Sequence, residues 1–129
     1  MIIFMHMSNS NKKTVVLGAS ENPSRYSNLA VNRLTSAGHP VLAIGKRAGD
    51  INGIPIQTGM PEINAVDTVT LYLNPQNQIP FYDYILSLHP KRIIYNPGTE
   101  NPELEKLSAE KHIENLEACT LVLLSTGQY

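Results

Sequence analysis

An α/β fold in three layers, with a mostly parallel sheet of about five strands between helices, is the fold class that the sequence predicts. Short apolar runs rich in β-branched residues alternate with segments whose apolar residues recur at helical spacing, and this alternation is typical of a parallel sheet covered on both faces. The length of 129 residues is close to that of one domain. With 42% hydrophobic and 16% charged residues, the chain is too apolar for intrinsic disorder.

The first strand, helix and second strand are expected to form one βαβ unit. The β-branched run 14–17 stops at Gly18, and a helix is expected after the polar loop 19–25. Gly38 follows this helix at a position where glycine is favoured, and the apolar run 41–44 is the second strand. Together these elements have the length of a right-handed βαβ crossover, about 30 residues.

The middle of the chain is expected to hold a loop, a strand and a helix. Residues 45–61 contain four glycines and two prolines, too many for a helix, so we expect a loop with 54–56 as a possible extended edge piece. The run 68–73 is the third strand. A helix is expected from about Gln78 to Leu88, with these residues on its inward face: Ile79, Tyr82, Ile85 and Leu86.

Two further strands are expected in the last third of the chain. The run 92–95 is the fourth strand, and the next helix starts at a Thr99 or Asn101 cap, with Pro102 in its first turn. This helix is expected to end near Lys111. A fifth strand is expected at 113–116, whereas the apolar run 121–124 is compatible with a strand or a terminal helix.

The net charge excludes some classes of partner, and the cysteine content indicates the cellular compartment. A formal net charge of -1 argues against broad binding of nucleic acid or of an anionic membrane. Cys119 is the single cysteine, which favours a reducing, cytoplasmic compartment. The four histidines have no metal-ligand spacing. Residues 1–11 are expected to be a disordered leader, with an upstream start ahead of Met7 or a cloning remnant as alternatives, and residues 12–129 the single domain.

The loop after the first strand is the strongest candidate for a ligand site. In a parallel α/β sheet, ligands bind at the carboxyl ends of the strands. Gly18 permits a tight turn, while backbone N–H groups and a helix N-terminus can hold a diphosphate. Ser20 and Ser27 add hydroxyl donors and Arg25 a positive charge. The dinucleotide fingerprint G-x-G-x-x-G is not present, and an ordinary strand-to-helix turn is the alternative.

Basic residues at the end of the second strand indicate the kind of nucleotide. An NAD site usually has an acidic residue there, whereas this chain has Lys46 and Arg47. Two cations favour a phosphorylated ribose, as in coenzyme A or NADP. A solvated basic pair on a loop is the alternative. After the third and fourth strands, Asn74, Asn96 and Gly98 are further candidates, although the residues of the segment 96–101, taken alone, slightly favour helix capping.

Candidate catalytic groups are weak. His39, His89 and His112 each lie near the end of a predicted helix, where a histidine meets the helix dipole, and none follows a strand. Cys119 has no neighbouring base in the sequence. We therefore predict no catalytic residue and no metal site.

An ordered series of motifs resembles the small standalone CoA-binding domain proteins, which are relatives of the nucleotide-binding domain of the succinyl-CoA synthetase alpha subunit. The motifs that carry the resemblance extend over residues 12–119, and they are Gly18-Ala19-Ser20, Asn22-Pro23, Arg25-Tyr26, Ala37-Gly38-His39-Pro40-Val41, Gly53-Ile54-Pro55 and Val66-Asp67.

This resemblance implies a Rossmann-like fold that binds coenzyme A across the strand ends. The positions matching the family's diphosphate loop are Gly18, Ala19, Ser20 and Arg25, those near its adenosine phosphate are Lys46 and Arg47, and those in its Gln-x-Gly segment are Asn96 and Gly98. Cys119 matches a cysteine often found after the last strand. Two motifs depart from the family: its Asn-Pro is Gly45-Lys46 here, and its Phe-Arg is Tyr72-Leu73, so one expected cation is missing.

The leading hypothesis is a cytoplasmic, non-catalytic protein that binds coenzyme A or acyl-CoA. The full set of expected contacts is Gly18, Ala19, Ser20, Asn22, Arg25, Tyr26, Ser27, Gly45, Lys46, Arg47, Asn74, Asn96 and Gly98. The alternatives are an NADP-dependent oxidoreductase that uses the same loop, and an interaction module with a vestigial pocket. A small-molecule nucleotide is the expected partner, with a homodimer or a partner enzyme as a further possibility.

Overall fold

The computed structural model describes residues 11–129, which form seven strands and five α-helices. The strands are β1 (Thr14–Ala19), β2 (Val41–Gly45), β3 (Gly49–Ile51), β4 (Ile54–Gln57), β5 (Thr68–Leu71), β6 (Arg92–Tyr95) and β7 (Glu114–Glu117). The helices are α1 (Tyr26–Ser36), α2 (Pro75–Gln78), α3 (Tyr82–Ser87), α4 (Pro102–Ala109) and α5 (Thr120–Ser125). No helix in this part of the chain has the length and apolarity needed to cross a membrane.

One sheet in the order β3-β4-β2-β1-β5-β6-β7 forms the middle layer. Every neighbouring pair is parallel except β3–β4. The chain winds from β1 through β2 towards one edge and from β5 through β7 towards the other. The strand order therefore reverses between β1 and β5, and a crevice opens there at the carboxyl ends of the strands.

Alternate side chains of the strands enter two hydrophobic cores, one on each face of the sheet. Val16 of β1 packs with Leu34 of α1 and with the apolar side of α5. On the other face, Leu17 packs with Ile85 of α3 and Leu104 of α4. The predicted three-layer, mostly parallel α/β fold is confirmed.

The sheet is larger than the expected five strands because residues 49–57 form a hairpin instead of a loop. β3 and β4 pair antiparallel through Asp50 and Pro55. The turn between them has positive φ at both central residues, 48° at Asn52 and 92° at Gly53, as a tight two-residue hairpin requires. The strands contain only three and four residues, too few for a clear alternation in the sequence.

The helix expected over 78–88 is interrupted. α2 starts earlier because Oδ1 of Asn74 accepts a hydrogen bond from the Asn77 N–H at 2.9 Å. A 3-10 turn at Ile79–Phe81 then separates α2 from α3, since Pro80 has no N–H to donate. The expected inward position of Ile79 was wrong, because this residue is 54% exposed.

The structures of α4 and α5 answer two questions that the sequence left open. Oδ1 of Asn101 accepts from the Leu104 N–H at 3.1 Å, so Asn101 rather than Thr99 caps α4. This helix ends at Ala109, slightly before the expected end at Lys111. The run 121–124, left open between strand and helix, lies in α5.

Both ends of the described chain lie together at the amino ends of the strands. Nζ of Lys12 donates to the carbonyl of Tyr129 at 2.7 Å, and the Tyr129 hydroxyl is 2.6 Å from Oγ1 of Thr14. The Tyr129 ring packs between His39 and the guanidinium of Arg92. Of the expected leader, residues 1–10 lie outside the described part of the chain.

Candidate functional site

A cavity of about 660 Å³ opens at the carboxyl ends of β1 and β2, beside the start of α1. We call it the large cavity. Its lining residues come from the loop after β1, the loop after β2 and the ends of β5 and β6, and they are Gly18, Ala19, Ser20, Glu21, Asn22, Arg25, Tyr26, Ser27, Lys46, Arg47, Ala48, Tyr72, Pro97 and Thr99. The large cavity therefore lies where the reversal of strand order places the crevice.

Glycine is required near the end of β1. Gly18 has φ 102°, and a β-carbon there would lie 3.0 Å from the carbonyl carbon and oxygen of Tyr72. A side chain would therefore be strained and would press on the end of β5. The close approach of these two segments forms one corner of the large cavity.

Short polar contacts hold the rest of this loop in shape. Oδ1 of Asn22 accepts from the N–H of Ser24 at 3.0 Å and from its hydroxyl at 2.8 Å. The N–H of Asn22 donates to Oγ of Ser20 at 3.1 Å. Nδ2 of Asn28, a buried residue of α1, donates to the carbonyl of Ser20 at 2.9 Å. The loop is thus ordered before any ligand arrives, which reduces the entropy cost of binding.

The start of α1 is suited to an anion. Arg25 occupies the N-cap position, and its side chain does not cap the helix. Within residues 11–129, no hydrogen bond or ion pair involves the Arg25 guanidinium, which is exposed and lines the large cavity. Backbone N–H groups at a helix start favour negative charge, and the guanidinium adds a fork of donors beside them.

Two more cations lie across the large cavity, after β2. A β-carbon at Gly45 would collide with the carbonyl oxygen of Ala19 and lie 2.9 Å from Cγ2 of Ile56, so the strand can approach its neighbours only with glycine there. Lys46 and Arg47 follow, both exposed. In the part of the chain that the structure describes, neither forms an ion pair, the single one there being Lys91 with Asp67 at 3.9 Å.

A small cavity of about 240 Å³ adjoins the large one on the other face of the sheet. Its lining is mostly apolar and consists of Leu17, Gly18, Ile44, Gly45, Lys46, Leu73, Asn77 and Phe81. Gly18 and Lys46 line both cavities. The pair of cavities therefore offers a polar compartment and an apolar compartment that share one cation.

Most of the expected contacts are gathered in these cavities. The large cavity is lined by Gly18, Ala19, Ser20, Asn22, Arg25, Tyr26, Ser27, Lys46 and Arg47. Gly45 lines the small cavity. Three expected residues line neither cavity: Asn74, Asn96 and Gly98.

Asn96 is buried in the core and bonds to other parts of the protein. It is 2% exposed, and its Nδ2 donates to Oγ1 of Thr70 at 2.7 Å and to the carbonyl of Leu71 at 2.9 Å. Its Oδ1 accepts from the N–H of Thr120 at 2.8 Å. Because both amide hydrogens bond within the protein, Asn96 joins β5 to the start of α5 instead of offering a donor to a ligand.

Asn74 and Gly98 also have local roles. Asn74 caps α2. Gly98 is exposed with φ 90°, and its N–H donates to Oε1 of Glu100 at 2.9 Å. Its neighbours Pro97 and Thr99 reach the large cavity. The capping interpretation of these segments therefore describes their contacts better than direct ligand contact does.

Several lining residues were not among the expected contacts, and they are Glu21, Ala48, Tyr72, Pro97, Thr99, Leu17, Ile44, Leu73, Asn77 and Phe81. Tyr72, at the end of β5, has a distinctive environment. Burial, and secondarily the nearby Cys119 thiol, raises the pKa of the Tyr72 phenol, so the group stays neutral at physiological pH. From the sequence, Tyr72 was expected inside the third strand, 68–73, and Tyr72-Leu73 stands where the family has Phe-Arg. No local pattern therefore marked Tyr72 as a lining residue.

The candidate catalytic groups lie outside both cavities. His39 lies at the amino ends of the strands, where its Nδ1 accepts a hydrogen bond from the Lys12 N–H at 3.0 Å. His89 and His112 are exposed residues with φ of 47° and 62°. Cys119 precedes α5 and lines neither cavity. His6 lies outside the described residues.

Solved structures of single-domain proteins share this architecture. An uncharacterised protein of known crystal structure is 52% identical, with 93% of this chain and 99% of that chain covered and a TM-score of 0.91. A protein from Thermus thermophilus is 20% identical (99% and 97% covered, TM-score 0.81). A hypothetical protein from Pyrococcus horikoshii is 18% identical (97% and 88% covered, TM-score 0.82). No functionally curated protein matches the sequence.

The sequence also matches a protein-family model. The family described as CoA binding domain matches residues 12–125, nearly the whole of the described chain. The resemblance drawn from the motifs is confirmed, and the chain belongs to the CoA-binding domain family.

Proposed function

We propose that this protein binds coenzyme A, with the diphosphate at the loop after β1 and the 3′-phosphate at Lys46 and Arg47. The observation that carries the proposal is the gathering of three exposed cations, Arg25, Lys46 and Arg47, around one cavity at a helix start. The whole chain has a formal net charge of -1, so the residues outside this trio carry a net negative charge. A ligand with phosphate groups at two places matches this local concentration of positive charge.

The small cavity suits the adenine base. Leu17, Ile44 and Phe81 supply apolar walls, against which a flat ring can pack. Lys46 lies between the two cavities and would then meet the ribose phosphate. The pantetheine arm would run through the large cavity towards Tyr72, Pro97 and Thr99. An acyl group on the thiol would follow the same arm, so acyl-CoA is part of the proposal.

Binding without catalysis is favoured by the chemistry of the lining. Glu21 is the single carboxylate that lines the large cavity, and its Oε2 already accepts from the Asp50 N–H at 2.9 Å. The phenol of Tyr72 has a raised pKa and is therefore a poor base at neutral pH. We propose that the protein holds the nucleotide, for sensing or for presentation to another protein.

Calorimetric titration with CoA and with dephospho-CoA tests this proposal. We expect CoA to bind more tightly, because dephospho-CoA lacks the phosphate that Lys46 and Arg47 would meet. CoA at 100 times its dissociation constant should also stabilise the fold by about 2.7 kcal/mol. Equal affinity for the two ligands would remove the role of the 3′-phosphate, and no heat with either would overturn the proposed function.

NADP is a second candidate ligand, since its 2′-phosphate could meet the same basic pair. Stabilisation by NADPH and its oxidation with a carbonyl substrate would support an oxidoreductase, whereas an unchanged melting temperature would exclude it. Leu73, where the family has a cation, favours the other alternative, an interaction module with a vestigial pocket. Mass spectrometry of freshly purified, denatured protein that reveals bound CoA would contradict that alternative.

A further inference from the structure

Glu21 is an unexpected residue in a site suited to anions. It follows Ser20 in the loop after β1 and lines the large cavity. A free carboxylate there would repel phosphate groups. Its Oε2 instead accepts from the N–H of Asp50 at 2.9 Å, 29 positions further along the chain and in the edge strand β3. The side chain thus links the loop after β1, residues 20–25, to the β3–β4 hairpin. We call this loop the phosphate loop.

Gly49 leaves space on the hairpin for the Glu21 side chain. A β-carbon at Gly49 would lie 2.6 Å from Cγ of Glu21, well inside van der Waals contact. Gly49 does not have positive φ, so its lack of a side chain is needed for space and not for backbone conformation. The Glu21 stem therefore lies against the first residue of β3.

A second link joins the same two segments through asparagine side chains along α1. Nδ2 of Asn28 donates to the carbonyl of Ser20 at 2.9 Å, and Oδ1 of Asn28 accepts from Nδ2 of Asn32 at 3.2 Å. Oδ1 of Asn32 in turn accepts from Nδ2 of Asn52 at the hairpin turn, at 2.6 Å. The phosphate loop and the hairpin are thus connected twice, by Glu21 and by this amide relay.

The basic segment lies between two anchored points. Residues 46–48 join β2, which ends at Gly45, to β3, which begins at Gly49. The first end is fixed by pairing of β2 with β1. The second end is held by pairing of Gly49 with Ile56 of β4 and is tied to the phosphate loop by Glu21. The Glu21 contact is therefore one of the restraints that set the position of Lys46 and Arg47 relative to the phosphate loop.

We propose that Glu21 is a positioning residue that holds the basic segment at a set distance from the phosphate loop, and so makes the site selective for nucleotides that carry a second phosphate besides the diphosphate. This inference rests on the proposed function. Glu21 itself need not touch the ligand. Its contribution appears as preference for CoA over dephospho-CoA, since only CoA engages both the loop and the basic segment.

Two variants remove the contact from opposite sides, and one preserves it. Glu21→Ala removes the acceptor, Gly49→Ala displaces the side chain, and Glu21→Gln keeps an oxygen that can accept from Asp50. Glu110→Ala, an exposed acid at the end of α4, is the matched control. Calorimetry with CoA and dephospho-CoA, together with amide hydrogen exchange of Asp50, gives the two readouts.

We expect Glu21→Ala and Gly49→Ala to weaken CoA binding about fivefold, less than the loss of a direct charge-assisted contact with the ligand would, while dephospho-CoA binding stays unchanged. Exchange of the Asp50 amide should become faster in both variants. Glu21→Gln should retain most of the preference for CoA, and Glu110→Ala all of it.

Other outcomes overturn the inference. An equal loss for both ligands would mean that Glu21 only maintains the phosphate loop, and tighter binding of both by Glu21→Ala would mean that its charge repels the ligand. Unchanged affinities, in variants of a protein that binds CoA, would overturn the positioning role alone. A wild-type protein that binds neither ligand would overturn the proposed function, and this inference with it.

Discussion

We propose that Arg25 contacts the diphosphate of a bound ligand. Its guanidinium is exposed in the large cavity, at the start of α1. We expect Arg25→Ala to weaken CoA binding by about 1.5 to 3 kcal/mol, the range for a hydrogen bond with a charged partner. Calorimetry measures the change, with Arg33→Ala in the last turn of the same helix as control. Equal affinities of the two variants would contradict a phosphate contact by Arg25.

Asn96 should affect stability and not ligand binding. Its side chain satisfies buried groups on β5 and at the start of α5. We expect Asn96→Ala to lower the free energy of unfolding by about 1 to 3 kcal/mol for each buried partner left unsatisfied. Urea unfolding gives the change in midpoint. Unchanged stability with weakened CoA binding would restore the sequence-based interpretation of Asn96 as a ligand contact.

The contrast between Arg25 and Asn96 shows which site residues the sequence could identify. Both are polar residues near strand ends in the sequence. Arg25 faces the cavity because it precedes a helix that begins at the crevice, whereas Asn96 turns inward to buried polar groups on β5 and α5. Such partners are distant in the chain, and no local pattern reveals them. Glu21 was missed for the same reason, since its partner lies in a hairpin that was expected to be a loop.

At the scale of elements, the spacing of β1, β2 and β4 depends on Gly45. A β-carbon there would meet Ala19 and Ile56 on the two neighbouring strands. We expect Gly45→Ala to destabilise the fold by about 1 to 3 kcal/mol, as overpacking usually does, and to weaken CoA binding because both cavities border this strand end. Thermal unfolding and calorimetry measure the two effects. An unchanged melting temperature would show that the strands can separate freely.

Central elements were predictable because burial leaves a strong pattern. β1, β5 and β6 are buried along almost their whole length, so each appears in the sequence as an uninterrupted apolar or β-branched run. The edge hairpin and the broken helix near Pro80 lack such a pattern. Their structure depends on a two-residue turn and on the Asn74 cap, which act over a few residues.

At the scale of the whole molecule, His39 makes stability depend on pH. Its pKa is lowered from 6.5, first by burial and then by the charges of Lys12 and Arg92, against a smaller opposite effect of Asp67. Folding therefore favours the neutral ring, whose Nδ1 accepts from the Lys12 N–H. The resulting stability is fully present above about pH 6.5 and is lost as the pH falls below that value.

Melting temperatures measured between pH 8 and pH 5 test this dependence. The wild-type value should fall below pH 6.5, and the fall should be smaller in His39→Gln, which cannot take up a proton. His89→Gln, an exposed histidine, serves as control and should behave as the wild type. Identical pH profiles of the wild-type and His39→Gln proteins would exclude His39 as the titrating group.

The alternation of strands and helices was predictable from the sequence, whereas the strand order was not. The alternation of elements indicates a parallel sheet, but the reversal of order between β1 and β5 arises only when the elements pack. The cavities lie beside this reversal at the carboxyl ends of the strands, whereas His39 lies at the opposite, amino ends. The expected homodimer or partner enzyme, and the cytoplasmic location, stay predictions.

Lys12 and Tyr129 are in contact, so the two ends of the described segment, residues 11 and 129, lie close together. A short linker from residue 129 to residue 11 could join these ends at the amino ends of the strands, away from the cavities. New ends could then be opened at Gly59, an exposed residue with φ 75° and open space around it. Circular permutation is tolerated at such sites. We expect the permuted protein to fold and to bind CoA as the wild type does, so the order in which its halves are synthesised would be free to change without loss of the site.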